Sequence, residues 1–475
     1  MKLWTAFFGP RLYTKYGERR EETKIEMIGN NLLAIGKGFW RTVIGIWPLA
    51  LSVQLWRGSI TVQNFQFWIY WTVVGAVVGF AARFFGRKID EQYKKFAVIF
   101  EKAQTGDSQS LAELKSYDYD MGAANLYDFQ AAEKQLWYYA APPHPANPLV
   151  KLISWLAVKS FGLGAMFPGS FQLLFAFAQD QILESRSKLI TERNGKRSVL
   201  KTAAGDLIDT IYLDARKSGQ HYGQKLVICC EGNGTFYEFG MMTVPMEKGH
   251  SVIGWNYPGF IHSTGSPMPK NVLAAADAVM QYATGPLGWK EEDIVIYSWS
   301  IGGFAASWLA ANYKKVRALI LDATFDNVLH LAAIRMPGIL APVVECAIKE
   351  HLNLDVESNL REFKGPVRIY RRLRDDMMCT LFEGSEEDIL ASNRTNYLLK
   401  AIMQSRHADK IRSHPDAIDN WLAMSPSSRK RAYDQAPKEI RDIYFLCEYY
   451  FVDIPGQHIG PLPVSSFDFP APMLM

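Results

Sequence analysis

Cysteine is scarce in this chain: Cys229, Cys230, Cys346, Cys379 and Cys447 are five residues in 475, odd in number and scattered. Such a set builds no disulfide framework and fits a reducing compartment, with the adjacent pair expected as small apolar residues inside a strand. Charge of one sign is also lacking, since 52 Lys and Arg face 48 Asp and Glu for a net charge of +4. A basic stripe that could track a nucleic-acid backbone is therefore missing, and no nucleic-acid partner is expected. Zinc-type Cys/His spacing, a P-loop and a dinucleotide fingerprint are absent too, so neither a metal nor an organic cofactor is expected. Repeats and low-complexity tracts do not occur. The first forty residues are repeatedly charged and hold no apolar core followed by small residues, which argues against a cleavable signal peptide.

What is abundant is apolar surface, 48% of residues, enough for a large core and, at this length, for more than one domain. Residues 58–82 carry no charge and include an aromatic cluster at one end, long enough to cross a bilayer. Residues 42–56 are also uncharged but shorter and contain Pro48, so a kinked span, a re-entrant segment and a buried soluble helix all remain open there. We expect a membrane hairpin over 42–88, with spans near 42–57 and 65–82. Lys15, Arg19, Arg20, Lys24, Lys37 and Arg41 precede it, and Arg83, Arg87, Lys88, Lys94 and Lys95 follow it. The preference of basic flanks for the cytosolic side places both ends, and the rest of the chain, in the cytosol. Residues 1–41 then form a basic N-terminal segment and 89–194 a helical connector. Within the connector, 160–179 lacks charge but is broken by Gly162, Gly164, Pro168 and Gly169, so membrane docking and packing against the catalytic domain both remain open.

From 195 to 475, apolar strand-like runs alternate with helical patterns, the order that yields a mostly parallel sheet with helices on both faces: an α/β fold. Strands are expected at 225–230, 251–255, 293–297, 316–321 and 367–370, with a helix at 271–282. Chemistry in such sheets sits at the carboxyl ends of the strands.

One such end reads Tyr297-Ser-Trp-Ser300-Ile-Gly-Gly303, followed by helix formers. That is the outline of a nucleophile elbow, a turn that lifts one serine hydroxyl out of the sheet edge above a helix N-terminus. Ser300 is the candidate nucleophile, although Ser298 stands where the common pattern has its first glycine. An oxyanion needs two preorganised donors. We expect the amides of Ile301, next to the nucleophile, and of Asn233 in Glu231-Gly-Asn-Gly234, with Gly234 the rival position. In this fold the roles run serine, acid, histidine along the chain. His144, His221, His250 and His262 come too early. His330 and His351 precede the strand expected to bear the acid, and His407 and His414 lie in charged helical sequence, which leaves His458 in Ile454-Pro-Gly-Gln-His-Ile-Gly-Pro as the base. The strand near 367 ends at Asp375 and Asp376. Asp375 is the preferred acid, with Asp376 its neighbour and competitor and Asp322 a more remote alternative.

Several longer words are more distinctive than the elbow: Leu226-Val-Ile-Cys-Cys-Glu-Gly-Asn, Gly254-Trp-Asn-Tyr-Pro-Gly-Phe, Leu321-Asp-Ala-Thr-Phe-Asp, His351-Leu-Asn-Leu and His458-Ile-Gly-Pro-Leu-Pro. With the elbow they resemble the α/β-hydrolase domain-containing 16 family of membrane lipases acting on phosphatidylserine, and the N-terminal apolar segments look similar as well. The resemblance implies an α/β-hydrolase fold, Ser300, Asp375 and His458 as triad, a membrane-lipid substrate and residence in the endoplasmic reticulum. It does not extend to the family's His-x4-Asp acyltransferase-type element: that spacing occurs only in His414-Pro-Asp-Ala-Ile-Asp419, downstream of the acid. Arg368, Arg371, Arg372 and Arg374 are candidates to meet an anionic headgroup. Monoacylglycerol lipase or acyl thioesterase activity would use the same machinery, and a noncatalytic membrane scaffold would keep the fold alone; headgroup, acyl position, protein partners and oligomeric state are not encoded legibly.

Overall fold

The computed structural model describes residues 1–471 apart from 19, 38, 41–61, 140–143 and 218–220. The expected span near 42–57 lies outside the described residues. A sheet of nine strands dominates the rest. In chain order its strands are β1 (Phe129–Gln130), β2 (Lys196–Lys201), β3 (Leu207–Leu213), β4 (Leu226–Cys230), β5 (Ser251–Trp255), β6 (Ile294–Trp299), β7 (Ala318–Asp322), β8 (Val367–Arg374) and β9 (Phe451–Gln457). Their spatial order is β9-β8-β7-β6-β4-β5-β3-β2-β1. Every neighbouring pair is parallel except β2–β3 and β3–β5, so β3 alone runs against the others.

Strands β4, β5 and β7 are buried at every residue, as parallel strands covered on both faces must be. Side chains alternate between two cores. Leu226, Ile228 and Cys230 belong to the larger, with Ile294 and Ile296, while Val227, Cys229, Val295 and Tyr297 belong to the one on the opposite face. The helices Pro269–Thr284 and Gly302–Asn312 cover the larger core. Strand order reverses around β4: β5 lies on one side and β6, next after it in sequence, on the other. Crevices in open parallel sheets form at such a reversal, outside the carboxyl ends of the strands. The architecture is the α/β-hydrolase fold. The five expected strands and the expected helix are present, with ends shifted by a few residues. The β2–β3 hairpin, β9, and a small antiparallel pair between Leu12–Lys15 and Tyr117–Tyr119 had no expectation behind them.

Ahead of the sheet, the helix Val62–Ile89 contains a 24-residue stretch, Gln66–Ile89, long and apolar enough to cross a membrane. A second such stretch, Pro148–Met166, has 19 residues. It overlaps the expected 160–179 segment only in part, because the chain turns at Pro168–Ser170 before the helix Gln172–Thr191 begins. Two flanking arginines are committed to internal ion pairs. Arg87 is buried and donates to Glu26 Oε1 at 2.9 Å and to the Gly9 carbonyl at 3.0 Å, and Arg20 contacts Glu26 at 2.7 Å and Asp90 at 2.6 Å. Another buried cluster fastens this region to the sheet: Asp118 accepts from Arg186 at 3.0 Å and from Arg197 at 2.8 Å, and Arg197 also holds Asp209 on β3.

Candidate active site

The turn after β6 holds Ser300 at φ 55°, in the left-handed region that a non-glycine residue rarely occupies. Such a conformation costs about 1–3 kcal/mol and persists only when its surroundings enforce it. They do so from both sides. The Ser300 N–H donates to the Asp322 carbonyl at 2.9 Å, and its carbonyl accepts from the Gly303 N–H at 3.0 Å and the Thr324 hydroxyl at 2.8 Å. Glycine is needed twice here. A Cβ on Gly302 would overlap the Cys230 carbonyl, and one on Gly303 would overlap the Thr324 side chain. Ser298, at the position of the usual first glycine, is buried and donates its hydroxyl to the Ile320 carbonyl at 3.3 Å, so a small side chain suffices.

Residues from three strand ends meet at this turn. His458 follows β9, and its Nε2 lies 3.0 Å from Ser300 Oγ. Its Nδ1 lies 3.0 Å from Oδ2 of Asp375, which follows β8. The other oxygen of Asp375, Oδ1, accepts from the backbone N–H groups of Met377 at 2.9 Å and Met378 at 2.8 Å. Those bonds fix the orientation of the carboxylate. Asp375 is 2% exposed and faces His458, whereas Asp376 is exposed on the outside of the same turn. Asp322 is buried at the end of β7 but belongs to Arg372, which grips it through Nε at 2.9 Å and Nη2 at 2.6 Å. Burial pushes the Asp322 carboxyl up, and the Arg372 guanidinium offsets only part of that rise.

The opposite wall is the loop after β4. Cys230 is in register with Ser298, which sets the segment 231–235 beside the elbow. A Cβ on Gly232 would overlap the Trp299 ring, so the two turns touch. Among the described residues neither the Ile301 nor the Asn233 backbone N–H has an acceptor. The Asn233 carbonyl accepts from the Gly169 N–H at 3.1 Å, which joins the turn after the second apolar helix to this loop.

The four arginines named as candidates for a headgroup do not form one exposed cluster. Arg371 is buried and donates to Asp453 at 2.7 and 3.0 Å, to Asn396 at 2.8 Å and to the Leu422 carbonyl at 2.9 Å. Arg372 is taken by Asp322, and only Arg374 is exposed. Alternation along the strand sends Arg371 to the face opposite Arg372, and each is claimed by a buried aspartate on a neighbouring strand, so the arginine-rich run is not an arginine patch. Two further groups touch the site without a sequence signal of their own. Trp299 Nε1 donates to the His458 carbonyl at 3.2 Å, and Arg335 Nη2 donates to the carbonyls of Asp376 at 3.2 Å and Met377 at 2.8 Å, bracing the acid turn. Cys229 and Cys230 are buried free thiols pushed up by that burial, which makes them poor nucleophiles.

A hydroxyl, an imidazole and a carboxylate in hydrogen-bonded sequence, beside two unpaired backbone donors, is an arrangement suited to acyl transfer. The profile of the phosphatidylserine lipase ABHD16 N-terminal domain matches residues 1–120. An uncharacterized protein of Caenorhabditis elegans is 36% identical, with 98% of each chain aligned. The phosphatidylserine lipase ABHD16A of Rattus norvegicus is 33% identical over 89% of this chain and 85% of its own. Among solved structures, an α/β hydrolase from Vibrio vulnificus is 17% identical and covers 50% of this chain and 81% of its own at a TM-score of 0.35. Relatives aligned along nearly the whole chain, together with the matched N-terminal domain, establish that the chain belongs to the phosphatidylserine lipase ABHD16 family.

Proposed function

We propose that this protein is a membrane-attached serine hydrolase that removes one acyl chain from a glycerophospholipid, with phosphatidylserine the expected headgroup. Ser300 is the nucleophile, His458 the base, Asp375 the acid, and the Ile301 and Asn233 amides form the oxyanion hole. The observation that carries the reading is the pair of 3.0 Å contacts linking Ser300, His458 and Asp375. His458 takes the Ser300 proton as Oγ bonds to the acyl carbonyl carbon, and the carbonyl oxygen becomes an anion held by the amides. The intermediate collapses by breaking the bond to the glycerol oxygen, which leaves with the proton from His458 as the lysophospholipid. Water then gives a proton to His458 and attacks the acyl-enzyme, releasing the fatty acid and restoring Ser300.

A lipid substrate is supported by the surroundings of the site. Ile459, next to His458, is 81% exposed, Phe382 lies exposed beyond Asp375, and Ile339 after β7 is 88% exposed. Leu149, Leu152 and Trp155 on the second apolar helix are exposed as well. Scattered exposed apolar groups need no explanation, but Ile459 and Phe382 occur on the segments that follow His458 and Asp375. Lys88 in the last turn of the helix Val62–Ile89, with Lys94 and Lys95 after it, supports a cytosolic catalytic domain, which residues 195–475 make up together with the edge strand β1. The full chain in phosphatidylserine nanodiscs should release lysophosphatidylserine and fatty acid and react with a fluorophosphonate probe, and Ser300→Ala should do neither. Labelling that survives Ser300→Ala would sink the assignment.

A further inference from the structure

The first residue after β4 is a carboxylate with no cation. Glu231 is 1% exposed, and among the described residues no Lys, Arg or His pairs with it. Three donors converge on it instead. Oε2 accepts from the Met241 N–H at 2.9 Å and the Thr235 hydroxyl at 3.2 Å, and Oε1 accepts from the Met242 N–H at 3.2 Å. Its own carbonyl accepts from the Tyr257 hydroxyl at 2.7 Å. A Cβ on Gly240 would overlap the carboxylate, and a Cβ on Gly302 would overlap the Glu231 carbonyl, so Glu231 is wedged between the far end of its own loop and the nucleophile turn.

Burying an ionisable group without a counter-ion is costly, and an apolar or neutral side chain of similar volume would serve stability better. What the carboxylate supplies is geometric: two oxygens that accept from three donors at once, from residues 235, 241 and 242, and so close a loop that contains Asn233. We propose that Glu231 is a positioning residue for acyl transfer, holding the loop so that the Asn233 amide stands where the tetrahedral oxygen forms. This rests on the oxyanion role given to Asn233 above. Other titratable groups facing Glu231 are Glu238, itself held by Arg186, and the buried Cys229, Cys230, Tyr257 and Tyr297, the last four pushed up by burial. None can replace the carboxylate as acceptor for the two methionine amides.

Glu231→Gln tests the proposal, because a glutamine of the same shape keeps one acceptor oxygen and turns an amide nitrogen toward a donor. Removing an oxyanion donor costs about 100- to 1,000-fold in kcat. A displaced donor should cost less, roughly tenfold, with KM unchanged. Purified full-length variants are assayed on a short-chain ester and on its thionoester, whose sulfur gains little from oxyanion donors. The ratio of the two rates reads the oxyanion hole and is insensitive to a general loss of folded protein. The expected result is a fall in kcat and in the ester-to-thionoester ratio for Glu231→Gln, and a smaller fall of both for Thr235→Val. If Glu231→Gln does not fold, Thr235→Val decides alone. A folded variant with the parental ratio overturns the proposal. Probe labelling that persists in Ser300→Ala is a different failure, that of the nucleophile assignment.

Discussion

At the scale of single residues, two adjacent aspartates separate by environment. Asp375 is buried, bonded to two backbone amides and aimed at His458, whereas Asp376 offers its carbonyl to Arg335 and its side chain to water. Replacing a triad aspartate by asparagine presents the wrong histidine tautomer and costs about ten-thousandfold in kcat. Asp375→Asn should lose activity on that scale, and Asp376→Asn should retain it with stability within about 0.5 kcal/mol. A parental rate for Asp375→Asn in a soluble-ester assay would refute this assignment. Glu231 carries a pH prediction. Burial raises its carboxyl from the ordinary 4.5 to about 7. A carboxyl raised in the folded state contributes stability that is complete below about pH 4.5 and lost as pH rises through about 7. Glu231→Gln should therefore lose less Tm than the parent between pH 5 and 8, measured by thermal melts in the same detergent. An unchanged pH dependence would show that Glu231 titrates normally.

At the scale of elements, β8 is where sequence reading and structure diverge most instructively. Arg368, Arg371, Arg372 and Arg374 look like one basic cluster along the chain, yet the pleat sends Arg371 to Asp453 on β9 and Arg372 to Asp322 on β7. Both arginines thus tie together the strands that present His458, Asp375 and the support of the Ser300 amide. Breaking one partner of a buried ion pair strands the other charge and costs about 3–5 kcal/mol. Arg372→Met should destabilise by that order in denaturant unfolding, and Arg372→Met combined with Asp322→Leu should recover much of the loss. A double variant no better than the single would show that packing, not the charge, sets the cost. The same physics governs Arg20 and Arg87, whose positive charge is met by Glu26 and Asp90 rather than by solvent.

At the scale of the whole molecule, the exposed apolar groups proposed to meet lipid form no contiguous stretch of sequence. Ile339, Phe382 and Ile459 lie on segments following β7, β8 and β9, and the second apolar helix contributes Leu149 and Trp155. Burying one large apolar side chain is worth about 1.5–3 kcal/mol, roughly a factor of ten or more in partitioning. Ile339→Glu should lower the rate on phosphatidylserine vesicles about tenfold and leave hydrolysis of a soluble short-chain ester unchanged. Equal loss on both substrates would assign Ile339 to the fold rather than to contact with lipid.

The sequence by itself determined the elements with strong local signals. Apolar runs alternating with helical patterns marked the central strands, the Ser300 turn announced itself through its glycines, and chain order narrowed the candidate base to His458. Asp375 could be preferred over its neighbour but not separated from it, because one step along a turn reverses a side chain without changing its composition. The edge pairing of β1 and the strand Leu12–Lys15 were illegible for a related reason: their partners are remote and their runs short, so little is written locally. Only the tertiary structure decided which arginines are paired and that Glu231 braces the loop bearing Asn233. Both depend on which atoms share a buried, low-dielectric space, and that is a property of distances between strands rather than of spacing along the chain.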